Sequence, residues 1–455
     1  MATHTLNHSK HPFLFLFAFT VCSFVSSTLY ANSLQDPARA GDPLPGLTAA
    51  ELSYFQEGKA RFLEVDGVAN SQRAKNPRNG GGLGPRFNLN SCGGCHVFPA
   101  IGGSSPAVNP QIAVATLSGA RNTIPSFITA NGPIREARFK QNADGTPDGG
   151  VHDLFVITGR TDAGSCNIQQ PNFSQALSQN NIIYRIPTPI FGGGLIEAIS
   201  DATILANKAN NADAKRAWGI AGHENRNPND GTITRFGWKA QNKSLLLFAG
   251  EAYNVEQGVT NELFPTKRDE TAGCTLNALP EDVTNFGLTD PLQAMSDIAG
   301  HNDFMRFLAP PTPKSLTPTA QHGSDVFVSI GCAMCHTPTL RTSTSTTAAL
   351  SNKNANLYSD LLVHHMGSGL ADNVTQGLAA GDEFRTAPLW GISQRLFYLH
   401  DGRTNDLQLA IRAHASAHPN PDPHYPDSEA NRVIANFNAL SPADRSSLFE
   451  FLQSL

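Results

Sequence analysis

The sequence has no long run of basic residues and no apolar stretch long enough to cross a bilayer. The first absence speaks against nucleic acid as a partner, because a phosphate backbone is met with clustered Lys and Arg. The second speaks against a membrane-embedded protein, since a span needs about 20 apolar residues. Charge of either sign is sparse: 33 Lys and Arg against 38 Asp and Glu leave a net charge of -5. Methionine (5) and tryptophan (3) are scarce as well, whereas glycine (39) and proline (30) are plentiful. That balance predicts long ordered loops between helices. With 455 residues the chain is long enough for more than one core.

The N-terminus reads as a cleavable export signal over residues 1–31. Lys10, with His4, His8 and His11, gives a weakly cationic start, and Phe13 to Val25 is an uncharged apolar run. Ser26, Ser27 and Thr28 follow, with Ala31 as the residue before the cut. The expected location is the periplasm. Seven cysteines fit an oxidising compartment. Cys22 leaves with the signal and four others form two C-x-x-C pairs. Cys166 and Cys274 remain, either as a disulfide or as two separate thiols.

Cys92-Gly93-Gly94-Cys95-His96 and Cys332-Ala333-Met334-Cys335-His336 both match C-x-x-C-H, the attachment signal for c-type haem. Two thiols three positions apart each add to one vinyl group of the porphyrin, and the next histidine is then held under the iron. Zinc would have to draw on two distant pairs, each with its own histidine. A thioredoxin-like pair wants a β-α-β setting that neither motif has. The cofactors predicted are two haem c groups with their iron, bound by Cys92, Cys95, Cys332 and Cys335. His96 and His336 are the first iron ligands.

Thr48 and Glu51 form a capping box for a helix to Leu63, and Leu47 with Leu52 a hydrophobic staple. The glycine-rich stretch Asn79–Gly84 lacks the lysine of a phosphate loop and reads as a turn-rich wrap. Residues 97–309 mix short apolar runs (Leu154–Thr158, Ile182–Ile186) with helical pieces (Ala202–Asn210, Leu245–Ala249). The proline-rich segment 310–318 reads as a linker. Beyond it, Val326, Phe327 and Ile330 lead into the second motif. Ser441 and Pro442 open a terminal helix carrying Leu448, Phe449, Phe451 and Leu452. Arg341–Thr347 reads as a solvated loop. The expected fold is mainly α, with two cytochrome c-like haem domains. The first, 42–309, carries a large mixed α and irregular insertion; the second is 319–455.

Gly84-Pro85-Arg86-Phe87-Asn88, Arg185-Ile186-Pro187-Thr188-Pro189 running into Gly194-Leu195-Ile196-Glu197, and Arg235-Phe236-Gly237-Trp238-Lys239 resemble the di-haem oxidoreductase family. So do Phe384-Arg385-Thr386-Ala387-Pro388-Leu389-Trp390 and Tyr398-Leu399-His400-Asp401-Gly402-Arg403. The family is similar to bacterial di-haem cytochrome c peroxidases. The resemblance implies a peroxidase-like oxidoreductase, with one haem binding hydrogen peroxide or another small oxidant. The other would pass on electrons from a small periplasmic donor protein. It also implies an interdomain Ca2+, for which no binding-loop motif stands in the sequence. Two other readings share the scaffold: an electron carrier without catalysis, and an oxygenase or protein-modifying enzyme.

The sixth iron ligand separates these roles. No histidine or methionine lies between His96 and His152, so the first haem is expected to be open, with His152 as the residue that would close it. Glu197, in an apolar segment, is the expected acid–base group, and Arg160 an assisting cation. For the second haem, Leu399 stands where the related peroxidases often have methionine. His400 is the favoured ligand and Met366 the alternative. His414 is expected in the core or at the haem edge. Trp238 and Trp390 are expected as core residues or as relays between the haems.

Overall fold

Helices carry the fold, and several begin where the sequence supplies a cap. Thr48 accepts the Glu51 amide and Glu51 reaches back to Thr48, so the capping box opens the helix Ala49–Leu63 as its residues predict. Ser244 caps Leu245–Gln257, which runs two turns beyond the predicted piece and ends on Gly258 in the left-handed region. Ser200 caps Asp201–Ala209, Thr317 caps Pro318–Ser329 and Ser441 caps Pro442–Leu452, the last two with proline in the first turn. The computed structural model describes residues 39–68, 81–120, 124–146, 157–267, 271–417 and 424–455. The export signal, His152 and most of Leu154–Thr158 lie outside them.

Among the described residues the strands form three two-stranded antiparallel ladders. Glu136–Phe139 pairs with Ile182–Arg185, which sets Glu136 opposite Arg185. Val363–His365 pairs with Glu383–Arg385. The third ladder, Leu340–Arg341 with Asn354–Ala355, takes in only Arg341 of the expected loop 341–347; the rest is loop, with Thr342 and Thr347 buried in it. Thr342 is buried there, and its hydroxyl donates to the Leu350 carbonyl at 2.7 Å.

The largest core gathers Phe55, Phe62, Ile204, Leu245, Tyr253, Phe304 and Leu308 with Leu350, Leu357, Leu361 and Trp390. It therefore takes side chains from both sides of the proline-rich segment, and Pro37–Leu455 form one unit. A second core, Val326, Phe327, Ile330, Phe437, Leu448, Phe451 and Leu452, joins the helix before the second C-x-x-C-H motif to the terminal helix. Their close approach depends on Gly323, where a β-carbon would sit 1.9 Å from the Ser447 carbonyl oxygen. Cys166 and Cys274 are joined in a disulfide, with Cα atoms 4.9 Å apart, across 108 residues of sequence. No helix of the described residues is long and apolar enough to cross a membrane.

Candidate functional site

The two C-x-x-C-H motifs fold alike. A single helical turn spans Cys92–Cys95, and a 3-10 turn opens the second motif at Cys332. In each the histidine amide donates back to the first cysteine's carbonyl, at 3.0 Å for His96 and 2.9 Å for His336. The rings are oriented alike too. His96 Nδ1 lies 3.2 Å from the Gly103 carbonyl oxygen and His336 Nδ1 lies 2.9 Å from that of Tyr358. A carbonyl only accepts, so Nδ1 carries the proton and the Nε2 lone pair is left free, the form a metal ligand needs. Burial lowers both rings to about 4, against the pull of those carbonyls. Both imidazoles are therefore neutral at physiological pH.

Each motif forms part of the wall of its own pocket. The first, about 1060 Å3 with its open mouth, is bounded by Cys92, Cys95 and His96. Its polar wall is Glu136, Arg138, Arg185, Gln241, Glu256 and Gln257. The second, about 1400 Å3, holds Cys332, Cys335 and His336 among Phe384, Leu389, Ile411, Val433, Phe437 and Leu448. Trp238 lines both. Its indole N–H donates to the Ile186 carbonyl at 3.1 Å, and its ring meets His400 edge-on with centroids 6.5 Å apart. Trp390 packs instead in the large core and over Gly192.

The polar groups of both pockets fit a large planar cofactor bearing carboxylates. Arg385 and Arg395 line the second pocket together, and no described carboxylate pairs with either. Their protein partners are carbonyls, of Gly237 at 3.1 Å and of Pro388 at 3.0 Å. Burial, and then each one's charged or phenolic neighbour, leaves both at about 10. Two buried guanidiniums side by side call for an anion between them. In the first pocket Arg185 Nε, Gln241 Oε1 and Gln257 Oε1 are buried without a partner. Of these, Arg185 Nε is the donor that a haem carboxylate would meet.

Glu197 is not among the residues lining the first pocket. Its carboxylate accepts the Leu245 amide at 2.9 Å and pairs with Arg306 at 2.7 Å, so it caps the 245–257 helix. Arg160 is also elsewhere: it is buried, paired with Asp162, and lies 4.7 Å over the Phe87 ring. His400 and Met366 do line the second pocket, with Leu399 and His414. His400 lies flat on Phe384 with centroids 4.2 Å apart, and burial lowers it to about 4 despite Asp401 and Asp372. Leu399 has φ 69°, a turn that carries the chain into His400. His414 Nδ1 donates to the Ala410 carbonyl at 2.9 Å.

Several wall residues went unrecognised in the sequence. Glu136 bonds Arg138 at 3.0 Å, two places along one strand and hence on one face. Glu256, opening onto the same pocket, is raised to about 8 by burial and then by Glu136. Ala249, Ala252, Tyr253 and Glu256 line the pocket at helical spacing, a period that was there to be read once the helix was extended past Ala249. His301 and Met305, from the helix Asp297–Phe307, bound the pocket as well. His301 is boxed edge-on by Phe62 and Tyr253, with centroids 5.8 and 5.2 Å away. Cys335, Asp360 and His364 also converge, with the His364 ring held between Asp360 at 2.9 Å and Glu429 at 2.7 Å.

Comparison with known proteins gives this geometry its context. The chain is similar to a MauG-like protein associated with microbial copper homeostasis, with 19% identity, a TM-score of 0.25 and 37% of the chain covered. It is similar to the diheme peroxidase BthA from Burkholderia thailandensis E264, with 18% identity, a TM-score of 0.30 and 49% of the chain covered. The chain spans 55% of the first and 65% of the second. It is also similar to the hydrazine synthase of Kuenenia stuttgartiensis, with 13% identity, a TM-score of 0.34 and 98% of this chain and 100% of that one covered. No curated protein matches. The family model described as "Di-haem oxidoreductase, putative peroxidase" matches residues 136–455, more than half of the chain. That span takes in Trp238, both arginines of the second pocket and the second C-x-x-C-H motif. The chain belongs to the di-haem oxidoreductase family.

Proposed function

We propose that the chain is an exported di-haem peroxidase in which the polar pocket reduces peroxide and the apolar pocket delivers electrons. The observation that carries this reading is the contrast between two pockets that share one motif geometry and one tryptophan. Cys92, Cys95 and His96 would hold one haem c, and Cys332, Cys335 and His336 the other, within halves 42–309 and 319–455. When bound, haem iron supplies one-electron chemistry and, with an open position, a place for peroxide.

The chain's own residues then divide the work. Reducing a peroxide needs a proton moved from one oxygen to the other. Glu256, raised to about 8, with Glu136 and Arg138 beside it, is the group in the first pocket able to hold and release that proton. It takes the role that the sequence suggested for Glu197. Arg138 and Arg185 favour the developing negative charge. His301 is boxed by Phe62 and Tyr253, so His96 would be the protein ligand holding this haem's iron. In the second pocket His400 would be the residue to close the iron: it is neutral, its side chain has no hydrogen-bond partner among the described residues, and it lines the cavity. Met366 is buried against Trp238 and Phe384 and packs the wall. Trp238, touching both pockets, is the path for the electron, and a small periplasmic protein is the donor.

The direct test loads the protein with haem and mixes it with hydrogen peroxide and a one-electron donor. Turnover lost in Glu256→Gln and kept in Glu197→Gln supports the reading. Turnover absent from the unmodified protein overturns it in favour of an electron carrier.

A further inference from the structure

Between the two pockets lies a chain of buried charges that links Arg185 of the first pocket to Asp372 and Lys239, neither of which the roles above use. Arg185, in the wall of the first pocket, donates from Nη2 to Asp372 Oδ2 at 2.7 Å and from Nη1 to Gln376 Oε1 at 2.7 Å. The other oxygen of Asp372 lies 3.1 Å from Nζ of Lys239 and accepts the Val374 amide at 2.9 Å. Lys239 is fully buried. Its Nζ donates to the carbonyls of Ala380 and Glu383, each at 2.8 Å, and sits 4.1 Å from the centroid of the Phe384 ring. Phe384 is the ring on which His400 lies flat, in the wall of the second pocket. One carboxylate thus holds a cation in the wall of the first pocket and a cation behind Phe384, a wall residue of the second. Arg185 and Lys239 come from two of the sequence segments that resemble the family, RIPTP and RFGWK.

The local sum is two positive charges against one negative, in a region that is nearly dry. The neighbouring charges are few. Arg138 and Glu136 act on Arg185, Lys140 faces Asp372 from a half-buried position, Asp382 acts on Lys239, and Asp401 and Arg403 act on His400. Burial pushes Lys239 down to about 8, and Asp372 is the first group to push back, so the lysine stays charged at neutral pH. In such surroundings a charge is felt over more than one contact distance. Removing the carboxylate would leave both cations uncompensated. Positive charge near a redox centre favours its reduced form, and net charge is among the protein's levers on haem potential.

We propose that Asp372 is a positioning residue that sets the reduction potentials of both cofactors together, by fixing Arg185 in the wall of one pocket and Lys239 behind Phe384 in the wall of the other. This rests on the reading that each pocket holds a haem. A carboxylate that only holds the fold together would change thermal stability without a systematic change in either potential.

The test is a spectroscopic redox titration of the haem-loaded full chain and three variants. Asp372→Asn is expected to raise both potentials. Lys239→Met is expected to lower both, the second haem more, and Arg185→Gln to lower both, the first haem more. The opposite signs keep the test sound if Asp372→Asn fails to accumulate, because the two cation variants then decide it. Shifts of the same sign in anion and cation variants, a shift confined to one haem, or unmoved potentials would each overturn the proposal. A preparation lacking haem at Cys332 and Cys335 would instead refute the underlying reading. One with both haems and unmoved potentials would refute the role of Asp372 alone.

Discussion

Beside His96 the wall carries Glu136, Arg138, Arg185 and Glu256; beside His336 it carries Phe384, Ile411, Val433 and Phe437. The motif is the same in both places, down to the carbonyl that orients each imidazole. The difference is what the rest of the chain brings to the far side. A polar wall with a carboxyl held near neutral pKa suits proton transfer. An apolar wall with a neutral histidine facing inward suits a closed, electron-transferring site. One attachment device is thus turned to two uses by surroundings supplied from distant sequence. The shared core, with Phe304 and Leu350 in one cluster, fixes the two sites relative to Trp238.

Mutations can break that comparison outright. Replacing Cys92 and Cys95 by Ala, or Cys332 and Cys335 by Ala, should each remove one covalent haem and leave the other. Iron content and a haem-stained gel would show it. Loss of both haems from either variant would contradict independent attachment. Next in size is the ligand of the second site. His400→Leu should convert that haem from low to high spin, while Met366→Leu leaves it low-spin; visible and EPR spectra decide between them.

The first site is sharpened by kinetics. Glu256→Gln should slow the reaction with peroxide about 10²–10⁴-fold, the usual worth of a positioned acid–base group. Glu197→Gln should leave the rate within a few-fold and lower the melting temperature, since it unties a helix start from Arg306. Stopped-flow traces on both variants make the check. Phe304→Ala and Phe451→Ala should each cost about 3–5 kcal/mol, by cavity formation in the shared core and in the second-site core. Denaturant melts followed at both haems would test whether the two sites unfold together.

The smallest expected effect is one of pH. Asp282 is raised from 3.8 to about 7 by burial and then by Asp297. The folded chain keeps this proton to a higher pH than the unfolded chain does. The stability it confers is therefore complete below about 3.8 and is lost as pH rises through about 7. Relative to Asp282→Asn, the unmodified protein should lose melting temperature across that window. A difference that stays flat would contradict the raised value.

The parts legible in the sequence were the local ones. A capping box at Thr48 and Glu51, a proline-led terminal helix at Ser441 and the apolar face Val326, Phe327 and Ile330 are each written within a few residues. Glu197 shows what local reading leaves out. An acid in an apolar segment looks like a raised carboxyl, yet Arg306, 109 residues on, pairs with it. Glu256 and Glu136 meet across 120 residues, and only the strand and helix that bring them to one pocket make them a pair. Arg385 was noticed as part of a segment, but its companion Arg395 was not. The meaning of both comes from a partner that the protein chain itself does not supply.

The central claim is that one pocket is open to peroxide and the other is closed. The most direct test is the EPR spectrum of the ferric, haem-loaded protein before and after hydrogen peroxide. The account predicts one high-spin and one low-spin signal, with the high-spin signal lost as soon as peroxide is added. Two low-spin signals, unmoved by peroxide in both the ferric and the half-reduced protein, would contradict it.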